Sequence, residues 1–379
     1  MKLRVGIVGL GEHWESRHLP ALRALADRFE VRGICEQVAH RARRAAEQVG
    51  AAAVDGFRAL TARDDIDAIL YLGEQWFGAM PILAACDHGK AVYSAVSLPV
   101  EAAEAAALRG RVERSGIAFM AEFPRRHAAA TVRLKELIAT RLGRPRMLFC
   151  HRRVPHAKTA PQPRDAGSIN RDLMELVDWC RYVAGCEPTS VVAVRHAGAA
   201  EGEPDDYRMM SLDFSPGSPP GDGTDGPASG DGALAPIPGH GILNPIPGHG
   251  ILNPIPGDGI LNPIPGHGIL AQISCGYYMP SRWEEAVSFR PPAALQVACE
   301  QGIAFVDLPA GLVWFDTAGR HQESLESERP VGEQMLVQFH RRVTSLVRSM
   351  SGLDDALQAL RVVQAGETSQ AEGRRVRLF

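Results

Sequence analysis

Short apolar runs alternate with helical patterns over the first third of the chain, and few architectures accommodate that alternation. Leu3–Val8, Val31–Cys35, Ile66–Leu72, Ala91–Ser94 and Ile117–Ala121 read as strands buried on both faces. Between them, Leu19–Phe29, Arg41–Val49, Met80–His88 and Val100–Ser115 have helical spacing, and Gly89 suits a left-handed cap at the end of Met80–His88. The alternation predicts an α/β fold that opens with a doubly wound parallel sheet.

The pattern changes after Phe123. A helix from Thr131 to Thr140 leads to the strand-like Arg146–Arg152, and a helix from Arg171 to Ala184 follows. Then come Ser190–His196, Arg208–Phe214, Ala271–Tyr278, Glu285–Phe289, Leu295–Glu300, Ile303–Leu308 and Leu312–Phe315, read as consecutive strands of a mostly antiparallel, open sheet. Helices over Gly332–Met350 and Leu353–Glu372 close the chain. At 379 residues the chain accommodates two domains, 1–122 and 123–379.

One stretch belongs to neither pattern. From Pro236 the unit Pro-Ile-Pro-Gly-His-Gly-Ile-Leu-Asn recurs about every nine residues, preceded by a Gly/Pro/Ser/Asp tract from Ser215. Residues 215–270 are therefore expected to be a low-complexity insertion in a hairpin loop. His240, His249 and His267 recur in it, but their flanking glycines provide no preformed geometry, so no metal site is expected.

A formal charge of -3 and a pI near 6.5 offer no basic footprint for nucleic acid. No run is long and apolar enough to span a membrane. The seven cysteines form no C-x-x-C pair, which suits reduced thiols in a cytoplasm.

The chemistry begins at Gly9-Leu10-Gly11-Glu12-His13-Trp14, between the first strand and its helix. Gly9 permits a tight turn, and Gly11 lets the backbone approach a pyrophosphate seated on the helix N-terminus. Trp14 stands where a third glycine usually allows close packing. The second strand ends in Glu36, placed to accept hydrogen bonds from ribose hydroxyls and to repel a 2′-phosphate. These residues predict a Rossmann domain binding NAD rather than NADP, with Arg41 and Arg43 softening the preference. A Rossmann-like domain without nucleotide is the alternative.

Several segments resemble the Gfo/Idh/MocA oxidoreductases. They are Val5–Gly11 with Arg17-His18-Leu19-Pro20-Ala21-Leu22, Ile82–Cys86 with His88–Tyr93, Arg125-Arg126-His127 with Leu134–Ile138, and Asp354–Leu357 through Gly373–Val376. The resemblance implies hydride transfer between a nicotinamide and a sugar, polyol or sugar derivative, and a homo-oligomer formed through the C-terminal sheet. It also implies that Gly73-Glu74-Gln75-Trp76 and Ser94-Ala95 lie beside the nicotinamide, and that the loop carrying His156 and Lys158 lies near the substrate, with Arg126 as a further contact.

The usual catalytic groups are replaced. Where such proteins have Glu-Lys-Pro, this chain has Ala95-Val96-Ser97, or Leu98 in the lysine's place if Pro99 is matched. Counting back from Asp178 puts Glu175 where a histidine is usual, with Asp172 one turn earlier. These acids are spaced i, i+3, i+6 along one helical face and are the candidate acid/base groups. Two other readings stay open: a non-catalytic nucleotide- or sugar-binding member, and an NAD-using lyase, epimerase or glycosidase-like enzyme.

Overall fold

The computed structural model describes residues 1–73, 77–95, 102–156, 166–196, 207–215, 268–280, 292–345 and 351–378. β1 (Leu3–Val8) lies at the centre of a six-stranded sheet with β2 (Phe29–Cys35), β3 (Ala52–Ala53), β4 (Ala68–Tyr71), β5 (Ala91–Ser94) and β6 (Phe119–Ala121). All are parallel, in the order β3-β2-β1-β4-β5-β6. The order reverses between β1 and β4, the position at which doubly wound sheets open a crevice beyond their carboxyl ends.

Both faces of this sheet are covered, which is why its strands read as continuous apolar runs. Leu3, Val5 and Ile7 face a core completed by α1 (Leu19–Ala24) and by Met335, Leu336 and Phe339 from a helix near the C-terminus. Val8, Ile69, Tyr71, Val92 and Phe119 face a second core that continues without a break to Leu148, Trp179 and Leu212 of the second sheet. Between the crossover strands run α2 (Ala39–Val49), α3 (Phe57–Thr61), α4 (Met80–Asp87) and α5 (Ala102–Ser115). Gly89 has φ +62°, as its capping role requires.

After α6 (Pro124–His127) and α7 (Ala129–Leu137), a nine-stranded sheet follows. It comprises β7 (Pro145–His156), β8 (Ser190–His196), β9 (Tyr207–Asp213), β10 (Leu270–Pro280), β11 (Leu295–Cys299), β12 (Ile303–Asp307), β13 (Gly311–Asp316), β14 (Gly319–Ser324) and β15 (Val376–Arg377). Its order is β14-β13-β12-β11-β7-β10-β9-β8-β15, and only β7 and β10 pair in parallel among the described residues. α8 (Ala166–Ala184) packs Leu173, Leu176, Val177, Cys180 and Val183 into the core, one helical stripe. On the opposite face of the sheet Met147, Val194 and Met209 are exposed. α9 (Val331–Thr344) returns to the first sheet, and α10 (Ser351–Glu372) packs on α8 and β8. No helix among the described residues is long and apolar enough to cross a membrane, and all seven cysteines are free thiols.

Several elements depart from the sequence reading, among them β3, α3 and β15, which it did not include. The helix expected over Leu19–Phe29 stops at Ala24, because Phe29 pairs with Leu3 and opens β2. The helical N–H ladder starts instead with a wide π-turn, Trp14–His18. The strand β14 was not expected: Gly319–Ser324 is an edge strand with one partner, and its polar run carries no apolar alternation. The strand expected over Glu285–Phe289 lies outside the described residues.

The insertion's repeats also lie outside them, but their flanks are defined. β9 and β10 pair antiparallel with Asp213 opposite Leu270, and the Phe214 N–H donates to the Ile269 carbonyl at 2.8 Å. The strands are thus hydrogen-bonded at the point where the insertion leaves and returns. Closing a long loop costs only about 0.6 kcal/mol per doubling of its length. Replacing residues 216–267 by a short turn should leave the melting temperature within a few degrees of wild type and cofactor affinity unchanged. A large loss of either, measured by calorimetry and titration, refutes dispensability.

Candidate functional site

The glycine turn after β1 is held by its neighbours. Gly9 and Gly11 have φ +68° and +62°. A Cβ on Gly9 would stand 2.2 Å from the Gly73 Cα, and one on Gly11 would stand 2.1 Å from the Leu72 carbonyl oxygen. The two turns at the switch point therefore lie backbone against backbone, and both glycines are demanded by the protein's own packing as well as by any pyrophosphate. Glu36, at the end of β2, accepts the Leu10 N–H at 2.8 Å and the Gln37 N–H at 3.1 Å, with the Arg41 guanidinium 4.0 Å away.

Gly11, Glu12, His13, Gly73 and Ala95 line a crevice on this side, and Arg171 and Glu175 of α8 line the other. Ser94 and Ala95 lie on its continuation beneath α8. Trp14, expected at the cofactor, is instead part of the core: it is 3% exposed among Leu19, Leu22 and other apolar side chains. The π-turn allows this. The N–H groups of Arg17 and His18 both bond the His13 carbonyl, at 3.0 and 3.1 Å, so the chain widens where a third glycine would have let it pass closely. The Leu10 side chain is likewise in the core, and its N–H serves Glu36. Glu74, Gln75, Trp76 and Lys158 lie outside the described residues; His156 ends β7 opposite Pro280.

The three acids of α8 separate. Glu175 is partly exposed in the crevice, with the Arg125 Nε 3.4 Å and an Arg152 nitrogen 3.9 Å from its Oε2. Asp172 is buried against Arg152 at 2.9 Å. Asp178 does not reach the crevice: it takes a two-pronged pair from Arg126, which also donates to Asp355 at 2.7 Å. Burial pushes the Asp178 carboxyl up, and the Arg126 and Arg181 guanidiniums pull it back. Asp178 and Arg126, expected to act on substrate, thus tie α6, α8 and α10 together. The expected cluster of mutually repelling carboxylates is broken up by arginines between them.

Sequence reasoning missed a nearly buried carboxylate of the crevice. Glu122, just after β6, has a side chain 5% exposed. It receives the Arg17 guanidinium, and its Oε2 lies 2.8 Å from both the His18 Nε2 and the Tyr93 hydroxyl. Burial works against its charge, but these three donors hold the carboxyl down at about 2. Its position at the carboxyl end of a buried parallel strand was the available signal. Glu122→Gln should cost roughly 3 kcal/mol at pH 7, because it strips a buried charge of its partner. A depressed carboxyl contributes stability above its unfolded value, near 4.5, and loses that contribution as pH falls toward about 2. The difference between wild type and variant in urea unfolding should shrink across that window; a pH-independent difference refutes an ionised Glu122.

The crevice fits a dinucleotide. The Gly11, Glu12 and His13 N–H groups have no acceptor among the described residues, and Glu36 offers a carboxylate one turn away. Among the described residues no group of His, Cys, Asp and Glu side chains is arranged to hold a metal ion.

Comparison with known proteins gives the same result. Residues 3–123 match the GFO_IDH_MocA family, described as an oxidoreductase family with an NAD-binding Rossmann fold. Inositol 2-dehydrogenase 3 of Saccharopolyspora erythraea is 28% identical over 204 residues, 52% of this chain and 57% of its own length. The chain spans about half the length of the curated relatives it matches. The aldose-aldose oxidoreductase of Caulobacter crescentus, solved with glycerol, superposes with TM-score 0.72 at 16% identity, covering 100% of both chains. Levoglucosan dehydrogenase, solved with NADH and levoglucosan, does so with TM-score 0.71 at 14% identity, again over 100% of both chains. At these identities the superpositions establish a shared fold. The parallel sheet, the glycine crevice and the match over residues 3–123 show that the first domain has the NAD-binding Rossmann fold described for the GFO_IDH_MocA oxidoreductase family.

Proposed function

We propose that the protein is an NAD(H)-dependent oxidoreductase acting on a carbinol of a sugar, polyol or sugar derivative. The observation that carries this reading is Glu175, a carboxylate of the second domain that faces the glycine turn of the first across one crevice. NAD bound there supplies a hydride acceptor at its nicotinamide. Residues 1–122 hold the dinucleotide: the Gly11–His13 N–H groups meet the pyrophosphate, and Glu36 meets the ribose. Glu175 takes the hydroxyl proton, and Arg125 and Arg152 keep its carboxylate in place.

The described lysines take no part in this chemistry. Lys90 donates to the Arg63 and Ile66 carbonyls at 3.0 and 2.7 Å, and Lys135 donates to Tyr182 at 3.0 Å. Among the described residues no lysine lines the crevice, and this favours the second reading, a non-catalytic nucleotide- and sugar-binding member. The relatives that match are dehydrogenases of inositol and reductases or oxidoreductases of sugars by name, which supports the choice of substrate class. The open face of the second sheet, with Met147, Val194 and Met209 exposed, is the surface we assign to a second copy of the chain.

NADH should bind more tightly than NADPH in a fluorescence titration, because Glu36 repels a 2′-phosphate; the reverse order rejects the assignment. With a turned-over sugar or polyol, Glu175→Gln should lower kcat by 10²- to 10⁴-fold, the usual contribution of a general base, and leave NADH affinity unchanged. Full turnover by that variant places the proton acceptor elsewhere. Cofactor binding without turnover of any polyol in a panel selects the second reading.

A further inference from the structure

On and around α8 several guanidiniums have a close acidic partner. Arg17 is paired with Glu122, Arg126 with Asp178, Arg152 with Asp172 at 2.9 Å, and Arg181 with Glu187 at 2.6 Å. Arg125 differs. Its side chain is 12% exposed, and among the described residues its one hydrogen bond runs from Nε to Glu175 at 3.4 Å. Its two terminal nitrogens have no acceptor among the described residues. The group is nonetheless held in place, lying 5.3 Å over the ring of the fully buried Trp179. Its terminal nitrogens are not sealed in the core and open onto a cavity, where they are available to donate to a ligand.

The space in front of Arg125 is a cavity of about 600 Å³. Arg17, Arg152 and Glu175 share its wall with Pro309, Leu325 and Val331. Arg17 and Glu175 also line the dinucleotide crevice, so cavity and crevice meet there. The remaining charges on the wall do not neutralise Arg125. Glu326 and Glu328 are exposed, and Glu333 faces Arg329 at 3.9 Å.

We infer that Arg125 anchors a carboxylate on the ligand, so that the site takes a hydroxy-carboxylate, such as a sugar acid, in preference to a neutral polyol. The terminal nitrogens of one guanidinium match a monoanionic carboxylate as a two-pronged pair. Glu175, 3.4 Å from the same guanidinium, then receives a hydroxyl on the carbon next to the carboxylate or one carbon beyond. Trp179 lies against the guanidinium, and Arg152 is paired with Asp172, so one carboxylate is held and a second is not. This inference rests on the proposed function only in taking Glu175 as the hydroxyl's neighbour.

The test is calorimetric titration of the whole protein, with and without NAD, using matched pairs that differ in the acid group: D-gluconate and D-glucitol, D-glucuronate and D-glucose, tartrate and threitol. At least one acid should bind ten- to a hundredfold more tightly than its neutral partner, the usual range for a charge-assisted hydrogen bond. Arg125→Gln should abolish that preference. Arg125→Lys should keep part of it, since it retains the charge and loses the fork, and its melting temperature reports that the chain has folded. Equal affinity within every pair, binding of no acid, or a preference that survives Arg125→Gln overturns the inference. So does tighter binding of glucose 6-phosphate than of any carboxylate. Failure of the oxidoreductase reading is separately visible as absent NADH binding while the acid preference persists.

Discussion

The crevice depends on one contact, the backbone of Gly9 lying against the backbone of Gly73. No side chain fits between them, since a Cβ on either glycine would fall within 2.5 Å of the other's Cα. This contact brings the ends of β1 and β4 together at the point where the strand order reverses. The N–H groups of Gly11 to His13 are left without an acceptor among the described residues, and Glu36 closes the turn from β2 through the Leu10 N–H. The glycine turn is thus demanded by the packing of the domain as well as by any dinucleotide. Its glycines are evidence of nucleotide binding only when read together with the acid at the end of the second strand.

α8 joins that crevice to the second sheet. Its apolar stripe enters the continuous core, and its polar side carries Arg171 and Glu175 to the crevice. Each acid meets an arginine from outside α8: β7 supplies Arg152, and α6 supplies Arg125 and Arg126. Buried carboxylates near one another would otherwise repel, and arginines placed between them remove that cost. The same network couples α8 to α10 through Asp355, away from the crevice that Glu175 lines.

Glu122 adds a second anchor. Its partners come from the π-turn (Arg17, His18) and from β5 (Tyr93), elements separated by more than 70 residues in the chain. Through them the start of α1 is tied to the far side of the sheet. That tie explains why the widened turn is stable even though Trp14 has displaced the usual close helix–strand packing.

The parallel sheet, the glycine turn, the acid of the second strand and the antiparallel character of the later strands were all legible in the residues. Each is written in local order: apolar runs for strands buried on both faces, helical spacing between them, turn glycines at fixed offsets. Family resemblance added the expectation of a nicotinamide site and exposed the missing lysine. Tertiary structure alone decided which acid of α8 faces the crevice. Asp172, Glu175 and Asp178 are equivalent in spacing, and their roles separate only because Arg152, Arg125 and Arg126 approach from other elements. It also decided that Trp14 is core, that Phe29 belongs to a strand, and that Glu122 is buried among three donors. Periodicity reports which face of an element is apolar; charge pairing and burial depend on residues distant in sequence, and no local pattern records those partners.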